Sequence, residues 1–368
     1  MTIRGVLYPF PNAGIGEVII LSVRVAVDAM GGDHAPGEII SGALSALSYL
    51  EDLHLILVGQ QKVIKETLAG FTYPQQQVEI CHTEEVIQCA DDPGLSIRGK
   101  KESSMVKAFK MVRSGEADAV LSAGNTGALM AAGVLFLGRL SGISRPALLT
   151  PMPSFSGRPV LFLDVGANMD ARPEQLLQYA FMGRIYAQQI LNYPEPRLAL
   201  LNVGAEPNKG NNQVKKAYAL FKKHMPGFCG NIEGNEAFYN AADVVICDGF
   251  VGNILLKTTE GLSRAILSYF RQEVSHKLSY KIGAALLQPV FLGLREKIDS
   301  SGYGGAPLLG VNGLCIKCHG SSKARSIEKA LLMQAYPFVR KNVTRQLQVA
   351  LEELAGEIGA TGEDLDCE

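Results

Sequence analysis

Eight short, almost unbroken runs of apolar, often β-branched residues constrain this chain more than any other feature: 23–28, 53–59, 78–82, 117–123, 159–165, 197–203, 242–247 and 310–317. A strand with one wet face alternates apolar and polar residues, whereas a strand covered on both faces does not. The runs therefore read as buried strands. Amphipathic stretches at 38–50, 103–113, 128–140, 173–191 and 214–222 lie between them and carry helical spacing. Such alternation predicts an α/β fold, a mostly parallel sheet with helices on both faces.

Composition agrees: 47% hydrophobic and 19% charged residues supply a core for one large or two modest domains in 368 residues. A formal net charge of -1 gives no global field to hold nucleic acid, and the absence of Trp disfavours base-stacking platforms. Seven irregularly spaced cysteines do not make a disulfide framework. Residues 1–22 hold an apolar stretch interrupted by Pro11 and Glu17, so they read as an N-terminal extension rather than a secretory signal. A cytoplasmic location follows as the expectation. No run approaches the ~18 apolar residues of a spanning helix.

Glycine and small polar residues cluster where strands end: Asp28 to Asp33, Ser122 to Gly127, Asp164 to Asn168, Asn202 to Gly204, Cys247 to Gly249 and His319 to Ser322. In an open parallel sheet the carboxyl ends of the strands border the ligand crevice. Glycine admits a ligand close to backbone, and free N–H groups at helix starts attract oxyanions. One sheet edge carrying all six loops is the predicted active site.

Named fingerprints fail. Gly94 to Lys100 has the glycines and lysine of a P-loop, but Lys101 replaces the magnesium-binding hydroxyl and no strand precedes it. Cys315-Ile316-Lys317-Cys318-His319 has the spacing of a haem attachment site, yet it lies in an apolar strand pattern, and no second ligand pair supports zinc. Reduced cysteines are expected there, with no metal.

Residues 252–297 are helical in pattern almost throughout and predict a projecting helical hairpin. From 262 to 297, Arg264, Arg271, Lys277, Lys281, Arg295 and Lys297 outnumber Glu273 and Glu296, around an apolar centre at 282–292. A basic collar on an apolar tip suits peripheral contact with anionic membrane, an acidic protein partner or a dimer interface. Residues 351–368 hold seven acids and no Lys or Arg, and read as an acidic tail.

The stretch Val23 to Pro36, VRVAVDAMGGDHAP, resembles the opening of the phosphate:acyl-carrier-protein acyltransferases. The resemblance continues in order through 100–105, 122–128, 163–168, 201–204 with 209–211, 247–253 with Lys257, 303–308 and 316–322. Gly99 departs from the family's second Arg, and Cys318 from its usual small residue. The resemblance implies a 23–350 domain with a three-layer α/β/α Rossmann-like sandwich, a homodimer, and a reaction of acyl-acyl carrier protein with inorganic phosphate. It further implies a place early in phospholipid synthesis, with a glycerol-3-phosphate acyltransferase downstream. The alternatives are a phosphotransacetylase-like enzyme using acyl-CoA, a dehydrogenase of the same fold, and a non-catalytic carrier-protein or lipid-binding module.

Phosphate is nucleophilic and a thiolate leaves readily, so the implied chemistry needs positioning and electrostatics, and no cofactor. Asn125, Thr126, Gly127, Ser321 and Ser322 are the expected phosphate site. Lys209, His319 and Asn168 are the expected catalytic residues: Lys209 supplies charge, His319 binds phosphate or protonates the thiol, with a helix-start hydrogen-bond partner as its alternative, and Asn168, Asn202 or Asn211 orients the carbonyl. Ser103, Ser104, Asn202, Asn211, Asp248, Asn253 and Lys257 complete the expected substrate contacts, and Asp248, like Asp164, has the alternative of pinning its loop.

Overall fold

The structure is a computed structural model describing residues 22–291, 293 and 303–360. Residues 1–21 of the N-terminal extension, the basic residues Arg295 and Lys297, and residues 361–368 of the expected acidic tail lie outside the described residues.

Alternating residues of the strands enter two different apolar clusters. Val23, Val25 and Val27 of β1 (Val23–Asp28) join one, and Ala26 the other; Leu55 and Leu57 of β2 (Leu53–Gly59) oppose Ile56 and Val58. Both faces are thus buried, which is why these runs lack polar alternation. Helix α1 (Gly37–Leu47) covers one face, and α4 (Ser104–Ser114) the other. Between them in sequence lie α2 (Gln61–Leu68), β3 (Val78–His82) and α3 (Pro93–Gly99).

The strands form two sheets, not the single one expected. The first has the order β3-β2-β1-β4-β12-β11-β5, with β4 at Ala119–Ser122, β5 at Ala147–Leu148, β11 at Ala306–Leu309 and β12 at Leu314–Lys317. The second has the order β6-β7-β10-β8-β9, with β6 at Thr150–Met152, β7 at Val160–Leu163, β8 at Leu198–Asn202, β9 at Phe228–Glu233 and β10 at Val244–Ile246. Pairing is parallel except at β6–β7, β11–β12 and β11–β5. The chain passes from the first sheet to the second across Leu149 alone, whose N–H bonds Pro307. Pro151 gives β6 a residue that cannot donate to a ladder, which suits an edge strand.

Helix α5 (Thr126–Ala132) follows β4, α6 (Pro173–Ile190) and α7 (Asn212–His224) serve the second sheet, and each apolar cluster runs through both sheets. The helical projection begins at α8 (Gly249–His276), in which only Gly249 and Gly252 are buried. After α9 (Leu278–Leu286) the chain turns back, and Phe291 meets Phe270 ring-to-ring at 5.9 Å. The last helix, Val343–Ala360, runs across residue 350, so the boundary expected for the acidic tail falls inside a helix anchored by buried Leu347, Leu351 and Leu354.

Candidate active site

The six glycine loops divide evenly. Three follow β1, β4 and β12 of the first sheet, and three follow β7, β8 and β10 of the second. The six loops therefore lie on two sheet edges rather than one.

The first trio is tied together by its own backbone. Asp33 N–H donates to Gly320 O at 2.8 Å, and Cys318 N–H to Ser122 O at 2.9 Å. Beneath them the carboxylate of Asp28 accepts the Ser122 hydroxyl at 2.6 Å and a bond from Ser104. Burial pushes the Asp28 carboxyl up, and these bonds oppose the shift. Gly31 crosses directly above: a Cβ there would stand 2.5 Å from Asp28 Oδ2 and 2.8 Å from Gly124 N. Only glycine allows that approach.

Asn125 caps α5, accepting from Ala128 N–H at 2.9 Å, while its Nδ2 is held by the carbonyls of Cys89 and Asp91. Its side chain is thus occupied. Thr126 and Gly127 open the helix, where N–H groups lack intrahelical partners. Ser322 is 4% exposed, and its hydroxyl has no partner among the described residues. His319 Nδ1 accepts the Ser321 N–H at 3.2 Å and faces the Ser321 hydroxyl at 2.8 Å. An imidazole that accepts at Nδ1 carries its proton on Nε2 when neutral. Burial and then the Lys257 charge lower the His319 pKa, which favours that neutral form.

In the second trio Asp164 is the hub. Its buried carboxylate accepts the N–H groups of Leu148, Gly166, Ala167 and Asn168. Asn168 Nδ2 donates to Pro146 O at 2.6 Å and to Asp164 at 3.2 Å, so its carboxamide fastens this loop rather than offering a donor to a carbonyl. Asn202 accepts from Val203 N–H and donates to Lys209 O. Asn211 and Asp248 cap α7 and α8. Ser103 caps α4, and Ser104 is buried against Asp28. Asp164 and Asp248 thus take their loop-pinning alternative.

Helix α8 links the two edges. It starts beside Asn168, where Gly249 N–H bonds the Asn168 carbonyl at 2.8 Å. About two to four turns on, Lys257, Glu260 and Arg264 all act electrostatically on His319. Lys257 also pairs with Glu260 at 3.0 Å. Asn253 stands between, facing Gly166. Of the cations that act on His319, Lys257 acts most strongly, ahead of Lys317 and Arg264; Lys209 lies with Asn202 and Glu206, and among the described residues no contact joins it to the first trio.

Two charged residues of the site, Asp28 and Lys317, were given no role from sequence. Both end otherwise apolar strands and both are buried. A charged side chain closing an apolar run was the available signal, because buried charge is kept only where it is partnered. Gly94 to Gly99 fall within α3, capped by Asp92 at one end and Lys100 at the other, and so cannot wrap a phosphate as a loop. Cys315 and Cys318 are free and buried, and desolvation pushes each thiol up to about 12.

A family model described as Fatty acid synthesis protein matches residues 23–346. The chain is 46% identical over 330 residues to a Phosphate acyltransferase of Geobacillus thermodenitrificans, covering 90% of this chain and 99% of that one. It is 46% identical over 334 residues to a Phosphate acyltransferase of Moorella thermoacetica, covering 91% and 96%. Among solved structures, a phosphotransacetylase from Streptococcus pyogenes shares the fold with a TM-score of 0.56 at 17% identity, over 87% of this chain and 95% of that one.

Proposed function

This chain belongs to the phosphate acyltransferase family, and we propose that it transfers a fatty acyl group from acyl carrier protein to inorganic phosphate. A phosphate oxygen attacks the thioester carbonyl, the C–S bond breaks, and the carrier thiolate leaves with an acyl phosphate as the other product. That mixed anhydride is an activated acyl donor, suited to a glycerol-3-phosphate acyltransferase at the start of phospholipid synthesis.

The orphaned, buried Ser322 hydroxyl carries this reading. It lies in the loop that bonds to the Asp28–Asp33 loop and neighbours the Ser122–Gly127 loop. A buried donor without a partner costs about 1–3 kcal/mol, which a bound oxyanion offsets. Phosphate rests on that hydroxyl, on Ser321 and on the Thr126 and Gly127 amides. Neutral His319 donates from Nε2 to the oxygen that gains charge, and Lys257 supplies the facing cation, with Asn253 beside it. Lys209, Asn202 and Asn211 receive the thioester side on the second edge.

Features of α8 and α9 support two partners. Val251, Leu262, Ile266 and Tyr269 share one exposed side of α8, which suits a second copy of the chain in a homodimer. Leu286, Leu287 and Val290 are exposed at the tip behind Lys277 and Lys281, which suits contact with anionic membrane at the inner face of the cell. No described helix is long and apolar enough to cross a membrane.

Palmitoyl-charged carrier protein, with and without phosphate, tests the reaction. Hydroxylamine-trapped product should appear with free carrier thiol only when phosphate is present. Equal or faster turnover of palmitoyl-coenzyme A would move the substrate assignment to the coenzyme.

A further inference from the structure

Lys317 ends β12 in the middle of the first loop trio and is 8% exposed. Its ammonium donates to two carbonyls, Ala123 O at 3.4 Å and Cys318 O. Each carbonyl belongs to the peptide that opens a loop of the cradle: Ala123–Gly124 leads to the start of α5, and Cys318–His319 leads to Ser321 and Ser322. In a trans peptide, C=O and N–H point in opposite directions. A carbonyl drawn toward Lys317 therefore turns the following N–H away from it. The His319 N–H so turned has no acceptor among the described residues.

We propose that Lys317 is a positioning residue for phosphate: one buried ammonium clasps the Ala123 and Cys318 carbonyls, fixes the spacing of the two oxyanion-binding loops and turns the His319 amide toward the anion. This rests on the phosphate-transfer reading and adds a residue to it. An apolar side chain of similar length would fill the space but leave both carbonyls buried and unpaired, so the loops would separate. Arginine keeps the charge and donors.

The proposal also sets a pH dependence. Burial lowers the Lys317 pKa, and Lys257 on α8 lowers it further. Asp28 on β1, Cys89 in the loop before α3, and the neighbouring Cys318 act in the opposite direction. A lysine with a depressed pKa loses its proton earlier as pH rises, so the clasp fails and KM for phosphate climbs at alkaline pH.

The test is steady-state kinetics on the full chain with palmitoyl-carrier protein, varying phosphate and pH, after melting curves on each variant. Lys317→Met should raise KM for phosphate about tenfold or more, the scale of one lost charge-assisted bond, and leave KM for the acyl donor within about twofold. Lys317→Arg should restore most of the phosphate affinity and move the alkaline limb to higher pH. Lys257→Met, at an exposed position, should also move that limb upward by removing repulsion, and it decides the matter if Lys317→Met does not fold. A folded Lys317→Met with unchanged KM for phosphate overturns the proposal. So does loss of the limb in Lys257→Met, which would assign the titration to Lys257 itself. If the unmutated protein releases no thiol in response to phosphate, the phosphate-transfer reading fails first, and the two failures are thereby told apart.

Discussion

Asp28 and Ser122 end neighbouring parallel strands, and their side chains meet at 2.6 Å with both residues buried. Ser122 Oγ also accepts the Gly124 N–H at 3.0 Å, so the pair ties the floor of the cradle to one of its loops. The carboxylate is buried under backbone and serine donors, and that has consequences for stability and for activity.

Replacing Asp28 with Asn removes a carboxyl whose pKa burial raises. A raised folded-state pKa means that the native chain binds more protons than the unfolded one, so this group's contribution to stability is largest at acid pH and falls as pH rises. Asp28→Asn should flatten that decline. Urea midpoints at pH 5 and pH 7.5 check it: the difference between them should shrink in the variant, and an unchanged difference counts against the assignment.

Gly31→Ala would press a methyl group to 2.5 Å from Asp28 Oδ2 and 2.8 Å from Gly124 N. Both neighbours are fixed, so the loop must move outward, at a cost of about 1–3 kcal/mol. Phosphate-dependent turnover should fall by at least an order of magnitude on that scale, with a lower melting temperature. Wild-type KM for phosphate in this variant would show that the loop does not shape the cradle.

The pH profile should have an acid limb from His319, whose neutral form is proposed to donate from Nε2. Lys257 lowers the His319 pKa, so Lys257→Met should move the acid limb to higher pH. His319→Ala should abolish the limb and lower turnover by about 10²–10³, the range for a lost oxyanion donor. A limb that stays in place in Lys257→Met would separate the two residues functionally.

At the projection, Leu286 is 79% exposed beyond the basic residues Lys277 and Lys281. Leu286→Glu with Phe291→Glu should reduce flotation with liposomes containing anionic lipid and leave transfer from carrier protein in solution unchanged. Equal flotation of the double variant and the wild type would remove the membrane contact.

The inner strands β1 and β2 were legible because apolar, often β-branched residues fill both faces, and they begin and end where the runs do; the outer strand β3 matches its run too, although none of its residues is buried. β5, β6 and β11 were not, being two to four residues long and, in β6 and β11, containing proline. β9 escaped because FCGNIE carries Gly and polar residues on an outer strand. The split into two sheets turns on one residue, Leu149, inside an apolar stretch that periodicity cannot divide. The loops of the candidate site, at the ends of their strands, were legible from their glycines. The roles within them were less so, because Ser, Asn and Asp are both good ligands and good N-caps. Ser103, Asn125, Asn211 and Asp248 cap helices with their side chains. Which lysine approaches His319 depends on the direction in which α8 leaves the second sheet, and spacing along the chain does not encode that.

Titration of inorganic phosphate into ¹⁵N-labelled protein tests the oxyanion cradle most directly. The amide resonances of Thr126, Gly127, His319 and Ser322 should shift together along one saturating curve. Saturable shifts confined to the loops around Asn202 and Asn211, with the first trio unmoved, would place phosphate on the other sheet and contradict the account.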